Sequence, residues 1–146
     1  MNRKKIIVTL ILVAIVGGGW YGYKEYTRGV KDLSHVNADI KMSAPALVNA
    51  FEKDEPKANT LFLDKIISVT GTLKKVEIDD KGYYSVVLGE SQSLSSVRCS
   101  MDSTHQADAS ALAEGSIVSV KGACTGFNSD ELLGSDVILN RCVIEK

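Results

Sequence analysis

The order of apolar and polar residues divides the chain into three regions. An apolar block covers residues 6–23 without a charged side chain. Across residues 43–53 the apolar positions recur at helical spacing, Ser43 can cap and Pro45 suits a first turn, so this segment is predicted to be a helix. Residues 58–63 are predicted to add one helical turn. From Lys65 onward apolar and polar residues alternate, which is the pattern of half-buried strands.

The alternating region predicts five strands, with one helix between the third and the fourth. The strands are predicted at residues 65–78, 83–89, 94–101, 117–124 and 136–144, and the helix in the Ala-rich segment 102–114. The apolar parity shifts near Lys74 and Lys75, which indicates a β-bulge, and Gly71 permits a close approach or a kink. Asp79–Gly82 is predicted to be a hairpin turn and Thr125–Ser135 a loop.

This order of elements favours one fold class. A bent first strand, followed by two strands, a helix and two more strands, is the layout of the OB-fold. The sequence therefore predicts a mainly β, five-stranded Greek-key barrel with Leu112 of the inserted helix as its plug. The N-terminal helix and an apolar membrane segment precede the barrel. An open β-sandwich is the alternative, and it accounts less well for the single helix.

The apolar block is long enough to act as a membrane anchor. Its 18 residues would span about 27 Å as a helix, close to a hydrocarbon core of roughly 30 Å. Trp20, Tyr21 and Tyr23 favour the interface at its far end, and Arg3, Lys4 and Lys5 favour a cytoplasmic N-terminus. We therefore predict a single-pass inner-membrane protein with a periplasmic or otherwise extracytoplasmic C-terminal domain. A cleaved signal peptide is the alternative, although an A-x-A-like cleavage site is absent.

These features predict three segments along the chain. Residues 1–23 form the transmembrane signal anchor or signal peptide, residues 24–42 a linker or stalk, and residues 43–146 an OB-fold domain with its N-terminal helix. The chain carries no signal for a particular oligomeric state.

Three cysteines lie in apolar, strand-like surroundings: Cys99, Cys124 and Cys142. They can be buried as small hydrophobic residues, or they can form one disulfide, since an exported compartment permits it. A bridge between Cys124 and Cys142 would close a loop of about 18 residues and contribute about 3 kcal/mol. A bridge between Cys99 and Cys142 is the other possibility.

Five stretches within residues 45–146 carry a family resemblance: Lys57–Asn59, Lys65–Gly71, Val97–Cys99, Gly115–Gly126 and Val137–Cys142. Through them this part of the chain resembles the exported bacterial tRNA anticodon-binding-like OB-fold family. It implies one OB domain behind a signal or membrane segment, and it brings no catalytic residue set with it. A link to nucleic acid is implied only through the shared fold.

Charge and chemistry narrow the function further. With Arg3, Lys4 and Lys5 set aside, 14 of the 17 Lys and Arg remain against 18 Asp and Glu, which disfavours binding to a polyanion. Only His35 and His105 could act as histidine bases, and neither is placed for a hydrolytic triad. The acidic pairs at residues 79–80 and 130–131 fit turns better than metal sites. We therefore predict no enzyme activity, no cofactor and no metal.

The predicted ligand face consists of strands two and three with the loops at residues 79–82 and 125–135. Its candidate residues are Lys74, Tyr83, Arg98 and Phe127. Leu132 and Leu133 either fold back onto the barrel end or offer exposed apolar contacts, which would favour a protein, peptide or glycan. The leading hypothesis is a membrane-anchored, non-enzymatic binding module of the bacterial envelope. The alternative is a nucleic-acid-binding OB-fold protein.

Overall fold

The computed structural model describes residues 3–26 and 32–146, which belong to two separate units. The first is a single helix, α1 (Arg3–Tyr26). Its segment Lys5–Glu25 has a mean hydropathy of 1.9 and is long and apolar enough to cross a bilayer, a test that a signal sequence also passes.

Residues 32–146 form a mainly β unit. In chain order its elements are a 3-10 helix (Leu33–His35), β1 (Ile40–Ser43), α2 (Ala44–Lys53), α3 (Glu55–Phe62), β2 (Ile66–Ile78), β3 (Tyr84–Leu88), β4 (Ser96–Met101), α4 (Gln106–Ser110), β5 (Ile117–Asp130) and β6 (Gly134–Glu145). The inward side chains of the strands share one apolar core with α2 and α3.

Strand pairing gives this unit an OB-like topology. Strand β2 is antiparallel to both β3 and β5, β4 runs antiparallel to β3 and parallel to β6, and β6 returns to β5. The pairings thus lead back to β2 and form a ring. The predicted bulge is confirmed by a register shift between Leu73 and Lys75. The predicted hairpin turn is confirmed as well, because Gly82 has a φ of +83° and its N–H donates to the Asp79 carbonyl at 2.9 Å.

The sheet contains six strands among the described residues, not the predicted five. The additional strand β1 runs parallel to β2, with Ile40 opposite Ile67. Its first three residues lie in the segment 24–42 that is predicted to be a linker or stalk, of which residues 27–31 lie outside the described residues. Four residues are too few to show a period, although Ile40 and Met42 both pack against the core.

Helix α2 confirms the predicted helix and packs against the apolar core of the strands. The Ser43 hydroxyl accepts the Ala46 N–H at 3.4 Å and begins the helix, and Leu47 and Phe51 are fully buried. The next helix, α3, is longer than the single turn predicted. The Asp54 carboxylate accepts the Lys57 N–H at 3.1 Å and starts it earlier.

Helix α4 is shorter than the predicted segment 102–114, since it covers only five residues. The chain before it is held in a turn by Asp102, whose carboxylate accepts the Thr104 N–H at 2.9 Å. Ala109 is the residue of α4 that is fully buried, whereas the predicted plug Leu112 is half-buried. The predicted role of Leu112 as the plug of the barrel is therefore not observed.

The predicted loop at residues 125–135 is wrong, because β5 and β6 continue through it as a hairpin. Only residues 131–133 form the turn, and Gly134 follows with a φ of +90°. The Asp130 carboxylate accepts the N–H groups of Leu132 and Leu133, both at 2.8 Å. Gly, Asn and Asp favour loops in general. Here the two strands nevertheless remain paired up to this turn, with two register shifts earlier in the hairpin.

The close approach predicted at Gly71 is confirmed by its contact with the start of α2. A Cβ atom at Gly71 would lie 2.8 Å from Ala44 Cβ and 3.4 Å from Leu88 Cβ, and Ala44 itself is fully buried. The absence of a side chain at Gly71 therefore lets β1 and α2 pack directly on β2.

Substituting Gly71→Ala should destabilise the folded unit by about 1–3 kcal/mol, because the new methyl group overlaps Ala44. Adding Ala44→Gly should recover part of that loss, since it removes the atom that is struck. The free energy of urea unfolding of the full chain in detergent measures both effects. Gly126→Ala is the matched control, as a Cβ there meets nothing within 4 Å. Equal stability of Gly71→Ala and Gly126→Ala would contradict this packing.

Candidate binding surfaces

The charged side chains on the outer face of the strands are paired with one another. Arg98 donates to Glu77 and also lies 3.6 Å from Asp136, while Lys75 Nζ lies 2.6 Å from Glu77. Lys75 and Arg98, which bond to the Glu77 carboxylate, hold its pKa below the ordinary value. Because both cations already have carboxylate partners, this face presents little unpaired positive charge to a phosphate backbone.

The other residues of the predicted ligand face serve different neighbours. Lys74 lies at the bulge, and its Nζ donates to the Ser93 carbonyl at 2.7 Å. Tyr83 is half exposed beside the hairpin turn. Phe127 stacks on Phe51 with ring centroids 5.0 Å apart. Phe127 is therefore packed toward the core, so it is not a free stacking platform for a base or a sugar.

Exposed apolar side chains gather at the opposite end of the strands. Leu94 in the β3–β4 loop is 68% exposed, and Leu132 and Leu133 in the β5–β6 turn are 85% and 77% exposed. We call the loop at residues 89–95 and the turn at residues 131–133 the leucine end. The loop and the turn adjoin, because a Cβ at Gly134 would lie 2.5 Å from the Leu94 carbonyl carbon.

The structure resolves the alternatives for this region. Leu132 and Leu133 do not fold back onto the ring, since the Asp130 carboxylate holds their N–H groups in a turn that leaves both side chains in solvent. Leu94 was not among the residues predicted for this surface, because the alternating pattern places it in a strand. Leu94 is identified as part of the same surface only by its close approach to the β5–β6 turn, some 40 residues away in the chain.

One serine ties the leucine end to helix α2. The Ser95 hydroxyl donates to the Glu52 carboxylate at 2.6 Å and accepts the Ser135 N–H at 3.2 Å. The β3–β4 loop, the start of β6 and α2 therefore meet at a single side chain. This linkage holds the two leucine-bearing segments in a fixed arrangement.

A second polar cluster surrounds His105. Its Nε2 lies 3.1 Å from both oxygens of Asp32, and its Nδ1 lies 3.3 Å from Asp108. Asp32 lies 73 residues away from His105 in the chain, so only the folded structure brings the two together. The cluster borders a cleft of about 390 Å³ and ties the segment before β1 to α4.

The two carboxylates change the protonation of this cluster. The Asp32 hydrogen bond, followed by that of Asp108, raises the pKa of His105 above its ordinary value of 6.5. Hydrogen bonds from the Ser34 N–H and then from His105 lower the pKa of Asp32 to about 2. These hydrogen bonds therefore favour the charged forms of both His105 and Asp32.

All three cysteines are free and buried in the structure, which contains neither of the two bridges considered as alternatives. Cys124 lies opposite Leu139 on β6, three residues before Cys142, and the Cys142 thiol instead contacts Cys99. Burial raises the pKa of Cys124 to about 11 and that of Cys142 above its ordinary value. Both thiols are consequently poor nucleophiles.

Comparison with known proteins places the fold. A model of the tRNA_anti-like family matches residues 1–143. A search of curated proteins gave no match. Among solved structures, a "putative nucleic acid-binding lipoprotein" from Klebsiella pneumoniae subsp. pneumoniae is similar, with a TM-score of 0.58 and 18% identity over 73% of this chain and 92% of that chain. At this identity the similarity concerns the fold.

A second solved structure shares less with the chain. A "putative aspartyl-tRNA synthetase" from Leishmania major has a TM-score of 0.44 and 10% identity, and the match covers 79% of this chain but 22% of the synthetase chain. That similarity is too low to bear on either fold or function.

The His105 cluster predicts a pH-dependent stability. Because the pKa of His105 is raised in the folded protein, the contribution of His105 to stability is fully present below pH 6.5, the ordinary pKa of histidine. This contribution is lost as the pH rises through the raised pKa. We expect the unfolding free energy to fall as the pH is raised above 6.5. His105→Gln should remove this fall, whereas His35→Gln is the control that removes the other histidine. A slope that persists in His105→Gln would contradict the assignment.

Thiol counting tests the state of the cysteines. Because all three are buried, we expect almost no reaction with a thiol reagent in the native protein at pH 8. We expect three reactive thiols after denaturation without reductant. Finding a single reactive thiol in the denatured chain would show that a disulfide is present.

Proposed function

The chain belongs to the tRNA_anti-like family, whose fold is that of a binding module, and we propose that this member is a membrane-anchored, non-enzymatic binding protein of the bacterial envelope. Its ligand is a protein, peptide or glycan that contacts the leucine end. The single observation that carries the proposal is the exposure of Leu94, Leu132 and Leu133 on one pair of adjoining segments. Exposed apolar groups on a fixed surface are typical of an interaction site.

Helix α1 supports the proposed membrane anchor. Its 18 uncharged residues have the length of a membrane span, and the aromatic residues Trp20, Tyr21 and Tyr23 follow the most apolar part. The basic residues at positions 3–5 orient the N-terminus toward the cytoplasm. On this proposal the segments are an anchor at residues 1–23, a linker that extends at most to residue 42, and an OB-fold domain beyond it.

The histidine and cysteine side chains that could act in catalysis are not arranged for it. His105 is held between two carboxylates that tie down the chain, and the thiols of Cys124 and Cys142 are buried with raised pKa values. Neither arrangement activates a nucleophile. A role in binding therefore agrees better with the side chains than a role in catalysis.

A second candidate function is nucleic-acid binding by the outer strand face, with Lys74, Tyr83 and Arg98 as contacts. The name of the Klebsiella structure favours it. Two observations weigh against it here: Arg98 is engaged by Glu77 and Asp136, and Phe127 is stacked inside the unit on Phe51. A single-stranded ligand needs free cations and free aromatic faces.

Site-specific photo-crosslinking of the full chain in native membranes separates the two candidates. A photoreactive phenylalanine analogue is incorporated at position 132, at position 98, or at position 117, where Ile117 is a 78% exposed residue at the far end of β5. We expect adducts from position 132 that resist nuclease and contain an envelope protein or a glycan, identified at residue level by mass spectrometry.

Position 117 controls for random collisions and should give no adduct. Nuclease-sensitive adducts from position 98 would favour the second candidate. The absence of any adduct specific to position 132 would contradict the proposed function.

A further inference from the structure

We propose that the leucine end docks a cationic, amphipathic segment of another protein. This inference rests on the proposed function, and it names the class of partner. It follows from the charges that surround the three exposed leucines, from the rigidity of the turn that carries two of them, and from the position of this surface within the folded unit.

The charge around the leucines is predominantly negative. Residues 89–95 and 130–136 contain four acidic side chains and no lysine, arginine or histidine. These acidic residues are Glu90, Asp130, Glu131 and Asp136. A fifth carboxylate, that of Glu52, reaches the same place through its hydrogen bond with Ser95.

Two cations also reach this surface. Lys74 Nζ donates to the Ser93 carbonyl at 2.7 Å, and Arg98 is shared between Glu77 and Asp136. Five carboxylates against these two cations leave the surroundings of the leucines net negative, and this charge attracts cations over about 8–10 Å at physiological salt. Basic residues interleaved with apolar ones are the matching chemistry.

The turn itself is arranged before any partner binds. The Asp130 carboxylate accepts the N–H groups of Leu132 and Leu133 at 2.8 Å, and these bonds lower its pKa, so that it stays ionised. Ser95 and Gly134 hold the neighbouring loop against the turn. A surface that is already ordered loses less entropy when a partner binds.

Other occupants match this surface less well. A second copy of the chain would bring acidic groups against acidic groups, and an anionic bilayer or a nucleic acid would be repelled for the same reason. The two segments contain no aromatic side chain, the group on which sugar rings usually stack. A cationic protein segment is the occupant that satisfies both the leucines and the charge.

The leucine end and the point where the chain enters the folded unit lie at opposite ends of β6. The turn precedes Gly134 at the start of β6, whereas Lys146, just past the end of β6, lies beside Asp108. Asp32, the first described residue after α1, binds His105 at that second end. The length of β6 therefore separates the leucine end from the point where the folded unit connects to the preceding chain.

Binding of two synthetic peptides to the full chain in detergent micelles tests the inference. The first is a 14-residue amphipathic helix of Leu and Lys, and the second has Glu in place of every Lys. Fluorescence anisotropy of labelled peptide gives the dissociation constants. We expect the Lys peptide to bind at least about tenfold more tightly than the Glu peptide, and its binding to weaken as salt is raised.

Three variants locate the contact. The double variant Leu132→Ser with Leu133→Ser should weaken binding of the Lys peptide by about tenfold or more, and Glu131→Lys by roughly three- to tenfold. Ile117→Ser is the matched control, because it removes another exposed apolar side chain at the opposite end of β5 from the β5–β6 turn, and it should leave binding unchanged. All four substituted positions are exposed, so the unfolding midpoints should stay close to that of the unchanged chain.

Several outcomes would overturn the inference. These are equal binding of both peptides, loss of binding in Ile117→Ser to the same degree as in the leucine variant, self-association of the chain that the leucine variant abolishes, or binding of anionic vesicles or a single-stranded oligonucleotide at this end. If neither peptide binds while position 132 still gives protein adducts in membranes, the cationic partner is refuted and the proposed function stands. If position 132 gives no specific adduct, the proposed function itself fails.

Discussion

The contact between Gly71 and Ala44 is the constraint on which the folded unit depends. It lets β1 lie beside β2 and lets α2 pack closely against β2, so that Leu47 and Phe51 join the core. Phe51 then stacks on Phe127, and Glu52, one residue further along, reaches Ser95 in the β3–β4 loop. One close backbone approach thus positions both the core and the surface that we assign to ligand binding.

The two surfaces of the unit differ in what they leave available to a partner. On the strand face, Arg98 and Lys75 are satisfied by carboxylates within the chain, so binding there would have to break existing ion pairs. At the leucine end, the hydrogen-bonding groups of the turn are satisfied while the leucine side chains remain in water. Burying those side chains against a partner stabilises a complex without that cost.

Local signals in the sequence predicted the parts of the fold that local physics determines. The parity shift at Lys74 identified the bulge, Ser43 and Pro45 identified the start of α2, and Gly71 identified the close approach. The parts it missed depend on residues far apart in the chain: β1 is ordered by β2, and His105 by Asp32. The candidate site was predicted in part, because Leu132 and Leu133 were recognised while Leu94 joins them only through tertiary structure.

The central claim is that an exposed leucine surface is displayed beyond the membrane. Labelling of Leu132→Cys with a membrane-impermeant maleimide in intact spheroplasts tests it directly, since the three native thiols are buried and give little background. The account predicts rapid labelling of the folded protein without lysis, and none in the chain that keeps Leu132. Labelling that requires lysis would place the unit in the cytoplasm, and labelling that requires denaturation would show that this surface is buried; either result would contradict the account.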